Sequence, residues 1–350
     1  MYKRRVFIID NSSYGTKSSK MWEDFANELE TLDNVSRTVL IRGREVWNVD
    51  PEYAPFHDLS VISENLLNQL KRYFKPNSVF IFADARDPLV FMLRQQNQIY
   101  GHGHTFIGIW NDGTYDQFGV IRTWLRGQDY RWSDKLERAL MDCYDYNLTP
   151  RESQVHHISK AISSLTAKTV KYCPLPFSST LWKQMGLDYS YDKENLVVMN
   201  SSGNAKHNEE LFKSLQHELP EFTFMSIHSM GLDVNSYYRI LSRAKLLIST
   251  NSSDINAFSI VESMVAGCIP IVPDIQVYSE VIGEKYLYPQ KVLRPPHLNF
   301  IREGQVVLEK IRNFLDNYDS IDMTDDIEQI INKHYSSEQL LNIVDGLTKN

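Results

Sequence analysis

Residues 245–274 read KLLISTNSSDINAFSIVESMVAGCIPIVPD. The run 245–249 is short and apolar, which predicts a strand. A polar loop, Asn251-Ser252-Ser253-Asp254, follows it. Residues 257–266 then carry the apolar spacing of a helix, closed by Gly267, a residue suited to the left-handed position just past a helix end. A second apolar run at 268–272 predicts another strand, stopped by Pro273. Strands that are continuously apolar rather than alternating, joined through a helix, predict a parallel sheet buried on both faces.

The same rhythm extends in both directions from this unit. Toward the N-terminus of the second half, strands are expected at 196–199 and 222–227. Helices are expected at 208–219, with Leu211, Phe212, Leu215 and Leu219 on one face, and at 236–244. Beyond Pro273 come a short helix at 277–282, a short strand at 286–288 and a helical tail from Glu303. In the first half, strands are expected at 6–9, 38–41, 78–82, 105–109, 144–148 and 169–172. Helical segments lie between them at 21–29, 62–73 and 133–143. The rhythm breaks at 174–194, where two prolines and a Ser-Ser pair predict a linker. For 350 residues the length prior is about two domains. The expected organisation is an N-terminal domain at 1–176, a linker at 177–194, a C-terminal domain at 195–332 and a terminal helix at 333–350 that crosses back to the first domain. In open α/β sheets of this kind, ligands bind at the carboxyl ends of the strands, here in a cleft between domains.

Composition is that of a globular chain, with 42% hydrophobic and 23% charged residues. The net charge of −7 gives no global positive field toward nucleic acid or membrane. The charge is divided unevenly. Residues 1–175 hold 22 basic and 21 acidic residues, a net +1, which leaves 15 and 23 for the remainder, a net −8. Cys143, Cys173 and Cys268 are few, odd in number and far apart, so neither a disulfide framework nor a CxxC zinc site is expected. No apolar run approaches the ~20 residues of a membrane span. The expectation is a soluble cytoplasmic protein.

Asp254 and Glu262 are eight residues apart, one in the loop before the helix and one on it. Phe258, Ser259 and Ile260 fall in the first helical turn, where backbone N–H groups lack intrahelical partners and can hold phosphate. A carboxylate one turn further in suits a ribose, whose two hydroxyls can both donate to it. The alternative is structural: Asp254 as a residue of the N-cap region and Glu262 as a solvated helix position.

From Asp254 to Val272 the chain resembles the acid-x7-Glu signature of retaining GT-B glycosyltransferases, which reads Glu-x7-Glu-Ala-Met-Ala-x-Gly-x-Pro-Val-Val. The similarity is specific over roughly residues 195–290 and weaker before that. It implies two Rossmann-like domains with parallel sheets facing a central cleft, the first binding the acceptor and the second a nucleoside-diphosphate sugar. By this resemblance Glu262 binds the donor ribose and Asp254 contacts the transferred sugar. Lys206 neutralises the diphosphate, helped by the 258–260 amides and the Ser201-Ser202 loop. Stabilising the leaving diphosphate with cationic and N–H donors requires no metal, and no Asp-x-Asp motif is present, so no cofactor is expected. Two departures stand out. Ser201 occupies the place of the family arginine, and Asp254 is one methylene shorter than the family glutamate. Lys17, in the loop with Gly15 after the first strand, is a substitute cation; Arg243 reads as a surface residue.

Three first-half segments are candidates for site residues. Residues 11–19, with Gly15, form a loop suited to close approach of phosphate or sugar, or a plain surface loop. Trp110-Asn111-Asp112 ends the strand at 105–109, where the resemblance implies a sugar-contacting polar residue; Asp112 is that residue or a turn-former. Arg122, Trp124, Arg126 and Arg131 interleave cations and aromatics as an acceptor surface for nucleic acid would, or are core aromatics with solvated arginines. His102, His104, His156 and His157 lack a third ligand at a recognised spacing and read as loop or surface residues.

The reading is a glycosyltransferase moving a sugar from a UDP-, GDP- or ADP-linked donor to a hydroxyl with retention. The expected acceptor is 5-hydroxymethylcytosine in double-stranded DNA, as in phage-type DNA glycosyltransferases, which requires the base to leave the stack. The alternatives are a bacterial glycan or lipid-linked saccharide acceptor, or a nucleotide-sugar-binding protein of weak activity. A lipid acceptor calls for a basic amphipathic surface helix, and no convincing one is legible.

Overall fold

The computed structural model describes residues 3–10, 17–42, 54–113, 115, 131–161, 170–177, 191–200, 213, 215–227, 233–252, 254–293 and 298–349. The chain divides into two compact units, Met1–Ser178 with His334–Asn350, and Ser179–Lys333.

The first unit contains β1 (Arg4–Asp10), α1 (Lys17–Glu30), β2 (Val35–Arg42), α2 (Ala54–Tyr73), β3 (Val79–Phe82), α3 (Leu89–Tyr100), β4 (Thr105–Ile109), α4 (Arg131–Cys143), β5 (Tyr146–Thr149), α5 (Glu152–Ala161) and β6 (Val170–Tyr172). All six strands are parallel, in the order β2-β1-β3-β4-β5-β6. Successive side chains of a strand face opposite ways. Phe7, Ile9, Phe80, Phe82 and Phe106 face the layer of α2 to α5, where Ile62, Leu66, Val90, Leu140 and Ile158 join one buried cluster. Val6 and Ile8 alternate to the other face, where α1 buries Met21, Trp22, Phe25 and Leu29.

The second unit contains β7 (Glu194–Asn200), β8 (Thr223–Ser226), α6 (Val234–Arg243), β9 (Ala244–Ser249), α7 (Phe258–Val265), β10 (Ile269–Pro273), α8 (Gln276–Val281), β11 (Leu287–Tyr288), α9 (Leu298–Asp316) and α10 (Thr324–His334). Its five-stranded sheet is also parallel, in the order β11-β10-β9-β7-β8. The final helix, α11 (Glu338–Lys349), belongs to the first unit. It packs against β3, and the Asn34 amide donates to Asp345 at 3.5 Å.

The strand order reverses between β7 and β9 in the second sheet and between β1 and β3 in the first. At such reversals the flanking helices diverge and leave a crevice at the carboxyl edge. Asn200 ends β7 opposite Ser249 at the end of β9, and the Thr250 N–H donates to the Asn200 carbonyl at 3.3 Å.

Several local features differ from the sequence expectation. Tyr144 precedes β5 rather than starting it; its ring is buried and its hydroxyl donates to the Ala85 carbonyl at 3.0 Å. His104 lies in the loop before β4, as one of its two readings had it, but is buried there rather than at the surface. The Ser78 N–H donates to its Nδ1 at 3.2 Å, and Phe80 and Phe74 pack edge-on to its ring. Trp132, next to Arg131, is 63% exposed, because α4 turns Glu137, Leu140 and Met141 inward. Among the described residues, no helix is long and apolar enough to cross a membrane.

Candidate functional site

The loop and helix after β9 begin with an unusual backbone. Ala257, just before α7, has φ 50°. This left-handed conformation costs a residue with a Cβ roughly 1–2 kcal/mol. Burial of Ala257 and of the α7 core residues Ile260, Val261 and Met264 offsets that cost. The turn delivers the chain from the end of β9 into α7 with Asp254 at its bend.

Asp254 is held from three sides. Its Oδ1 accepts the Ile255 N–H at 2.6 Å and the Asn256 N–H at 3.4 Å, and its Oδ2 accepts the Tyr278 hydroxyl at 2.9 Å. Burial pushes the Asp254 pKa above the ordinary carboxylate value, and these hydrogen bonds only partly offset it. Tyr278, on α8, is itself fully buried and lies 3.3 Å from the Ser249 hydroxyl. Burial, with Asp254 beside it, drives the Tyr278 pKa far up, so the phenol stays a donor. Tyr288, on β11, donates to the Ser249 carbonyl at 2.7 Å.

Glu262 is 1% exposed, so the solvated-helix alternative does not hold for it. The Tyr238 hydroxyl donates to its Oε1 at 2.8 Å, and the Tyr237 hydroxyl to its Oε2 at 3.4 Å. Both tyrosines come from α6, which leads into β9. Burial first, then Glu262, raises the Tyr237 pKa well above the usual phenol value.

At the start of α7, the Asn200 amide donates to the Ser259 hydroxyl at 2.7 Å and ties the helix to the end of β7. Phe258 and Ser259 are half-buried. The Ile260 N–H is directed back to the Ala257 carbonyl at 3.1 Å, which removes it from the set of amides expected to face phosphate. Asn200 and Ser259 thus meet at the reversal point of the second sheet, while Asp254 is tied to α8 and Glu262 to α6. Lys206, Ser201 and Ser202 lie outside the described residues.

In the first unit Asp112 is 1% exposed, just beyond β4. Its Oδ1 accepts the Gly113 N–H at 2.8 Å. Arg86 grips Asp84 through two bonds, of 3.0 and 2.5 Å. Burial opposes the Arg86 charge, but Asp84, Asp112 and the buried Glu137 around it together push its pKa up. Added at Gly113, a Cβ would lie 3.0 Å from Glu137 Oε2, which places that carboxylate beside the Asp112 turn. Gly15, Arg122, Trp124 and Arg126 lie outside the described residues. Lys17 begins α1, and its side chain is likewise outside them. Arg131 stands at the exposed start of α4. Arg243 is partly exposed, its side chain at 43%, and pairs with Glu194 at 2.7 and 2.8 Å, as a surface residue would.

Sequence reading misses Tyr237, Tyr238, Tyr278 and Asn200 around the acids, and Arg86 and Glu137 around Asp112. The one available signal is the chain's 19 tyrosines, two of them adjacent on the helix before β9. Among the described residues, no group of three or more His, Cys, Asp or Glu side chains forms a metal cluster.

No family model matches the sequence, and no curated protein matches it significantly. Solved structures match over the whole chain. The UDP-GlcNAc 2-epimerase of Neisseria meningitidis, bound to UDP-GlcNAc, is 11% identical with a TM-score of 0.56, covering 99% of this chain and 100% of the epimerase. Sucrose-phosphate synthase from Thermosynechococcus elongatus is 11% identical with a TM-score of 0.60, covering 99% and 98%. The catalytic domain of starch synthase IV from Arabidopsis thaliana, bound to ADP and acarbose, is 8% identical with a TM-score of 0.60, covering 100% and 99%. At these identities the likeness is one of fold. The two parallel-sheet Rossmann-like units of this chain form a GT-B fold.

Proposed function

We propose that the chain is a glycosyltransferase that moves a sugar from a nucleoside-diphosphate sugar to a hydroxyl acceptor with retention. The observation that carries the reading is the pair Asp254 and Glu262 in the loop and helix that follow β9, each carboxylate held by tyrosine hydroxyls. A pre-oriented, buried carboxylate presents its acceptor lone pairs in fixed directions, as recognition of two vicinal hydroxyls requires. In this reading the second unit holds the donor. Glu262 takes the ribose and Asp254 a hydroxyl of the transferred sugar. Lys206, the Ser201-Ser202 segment and the Phe258 and Ser259 amides take the diphosphate. As the sugar–phosphate bond breaks, negative charge builds on the departing diphosphate, and positioned N–H and ammonium donors stabilise it without a metal. The first unit takes the acceptor, with Asp112 near the reacting hydroxyl. Sugar synthases with the same fold, and a neighbour bound to UDP-GlcNAc, support the donor class.

The finer acceptor reading, 5-hydroxymethylcytosine in DNA, depends on Arg122, Trp124, Arg126 and Arg131. Its support among the described residues is the exposure of Arg131, and the near-neutral charge of residues 1–175 does not oppose it. A second reading, a nucleotide-sugar-binding protein without turnover, is favoured by Ser201 in place of the family arginine.

One assay separates these readings. The protein is incubated with UDP-, GDP- and ADP-sugars, and nucleoside diphosphate release is followed alone, with a saccharide, and with hydroxymethylated DNA. Turnover with one donor, lost in Glu262→Ala and in Lys206→Ala, is the expected result. Wild-type turnover in both variants sinks the site assignment. A donor that raises the melting temperature yet is never consumed selects the binding protein. Stimulation by saccharide and not by DNA removes the DNA acceptor.

A further inference from the structure

Arg5 of β1 and Arg37 of β2 are direct partners in the parallel ladder. Each lies two residues before a core position, Phe7 and Val39, that faces the α2 layer, so both arginines project to that face. Tyr73, the last residue of α2, receives them. The Arg37 guanidinium carbon stands 3.9 Å from the centre of its ring, and that of Arg5 5.9 Å. Arg72, next to Tyr73 in the chain, adds a third guanidinium at 5.4 Å. Three cations thus share one aromatic ring at the amino edge of the first sheet. Asp112, just beyond β4, lies at the opposite, carboxyl edge.

Like charges directly opposite on adjacent strands repel. A tyrosine face returns only a weak cation–π attraction, here divided among three cations. Among the described residues, no carboxylate stands within ion-pair distance of Arg5, Arg37 or Arg72. The acids near this edge are engaged elsewhere or too far away. Glu30 accepts the Thr38 N–H at 3.1 Å, and Asp345 is bound by Lys349 and Asn34. Asp33 is exposed and pairs with none of the three. Glu64, the acid of α2 nearest Arg72, is about 12 Å up the helix. Arg5 is half-buried and its Nε has no acceptor, while Arg37 and Arg72 are exposed. Packing holds these charges together, and the protein's own residues do not neutralise them.

We propose that Arg5, Arg37 and Arg72, arranged around Tyr73, bind a compact, multiply phosphorylated anion of the pyrophosphate or soluble bisphosphate class. The planar guanidinium fork matches phosphate oxygens in pairs, and stacking on an aromatic face fixes its plane. One phosphate monoester carries a charge of about −1.5 to −2, so three guanidinium charges call for more than one phosphoryl group. Compactness follows from the geometry, because all three cations lie within 6 Å of one ring centre. A duplex or a bilayer spreads its phosphates over exposed side chains, and Arg5 is half-buried. The inference does not rest on the donor chemistry proposed above.

The test is calorimetric titration of the full-length protein with inorganic pyrophosphate at fixed ionic strength. Lys206→Ala serves as the reference protein, because the donor site proposed above also suits a diphosphate. Saturable binding is expected in that reference. Adding Arg37→Ala or Arg72→Ala is expected to weaken it about tenfold or more, and adding Lys135→Ala, on a different helix, to leave it unchanged. Arg37 and Arg72 are exposed, so their variants retain the fold, and melting temperatures without ligand are expected to be unchanged or raised as repulsion is relieved. Inorganic phosphate is expected to bind about tenfold or more weakly than pyrophosphate. Absence of pyrophosphate binding in the reference, or full-strength binding in the Arg37 and Arg72 variants, overturns the proposal. So does an equal loss in Lys135→Ala, which would mean unspecific charge attraction, and so does equal affinity for inorganic phosphate. Binding of duplex DNA or of phosphatidylglycerol vesicles that depends on Arg37, in place of pyrophosphate binding, overturns it as well.

Discussion

The Tyr238 hydroxyl donates to Glu262 Oε1 at 2.8 Å, from the helix that leads into β9 onto the helix that leaves it. Both residues are buried, so neither end of the bond has water as a substitute. Removal of one partner then leaves a buried polar group unsatisfied, at a cost of about 1–3 kcal/mol. Tyr238→Phe is therefore expected to lower the melting temperature by several degrees. Tyr237→Phe is expected to lower it less, because its bond is longer, at 3.4 Å, and the ring is half-buried. Thermal melts of the two variants check the ranking. Equal melting temperatures would mean that Tyr238 does not hold the carboxylate.

Asp254 carries a pH signature of definite sign. Its pKa in the folded chain is raised by burial, so near and just above the unfolded carboxylate value the folded state binds more protons. Stability from this group is present at low pH and falls as pH rises through the folded pKa. Asp254→Asn removes the buried charge and keeps the size. It is expected to raise the melting temperature at pH 7 and to lose that advantage as pH falls toward the usual carboxylate range. A variant less stable than wild type at both ends contradicts this. If Asp254 contacts donor, the same variant is more stable and less active.

Lys193 joins two helix ends. Its ammonium donates to the Leu241, Ala244 and Ala266 carbonyls at 3.4, 3.0 and 2.7 Å, at the ends of α6 and α7. Burial pulls its pKa down to about 8, while the unfolded lysine titrates near 10.5. Between these values the unfolded chain binds more protons, so stability from this group rises as pH climbs from about 8 toward 10.5. Melts across that window are expected to show wild type gaining on Lys193→Met. Parallel curves would place Lys193 in solvent.

Gly267 sits against the same lysine with φ +73°, and a Cβ there would lie 3.2 Å from Lys193 Cε and Nζ. Gly267→Ala is expected to destabilise by about 1 kcal/mol or more, from the left-handed backbone alone. Chemical denaturation midpoints check it, and an unchanged midpoint would refute the strained geometry.

His104 gives the opposite end of the pH scale. Burial, then the neighbouring His102, pushes its pKa down to about 4. The Ser78 N–H donates to Nδ1, which requires that nitrogen to be unprotonated. Between pH 6.5 and 4 the unfolded chain takes up the proton first, so stability falls as pH drops through that window. His104→Gln is expected to flatten the decline, as read from melting temperatures at pH 4 to 7.

Much of the fold was legible because the strands are buried on both faces and their apolar runs are continuous. The 245–274 unit predicts β9, α7 and β10 to within a residue or two at each end. The candidate acids were legible for a different reason: residues 254–272 resemble the acid-x7-Glu signature, whereas their spacing alone left a structural alternative open. Their partners were not. Tyr238 and Tyr278 lie 24 residues before Glu262 and after Asp254, on helices whose approach depends on how α6 and α8 pack. The burial of His104 was not legible from its loop position, because Phe80 and Phe74, which pack edge-on to its ring, are distant in the chain.

The sequence by itself determined two α/β halves, the parallel sheets and the placing of Asp254 and Glu262 around one loop and helix. Periodicity and chain order carry that information within a few residues. Only the tertiary structure decided that Glu262 is buried between two tyrosines, that Asp254 is raised in pKa against Tyr278, and that α4 turns Trp132 outward. Those outcomes depend on distance and burial between segments far apart in the chain, which set both the hydrogen-bond partners and the cost of carrying a charge.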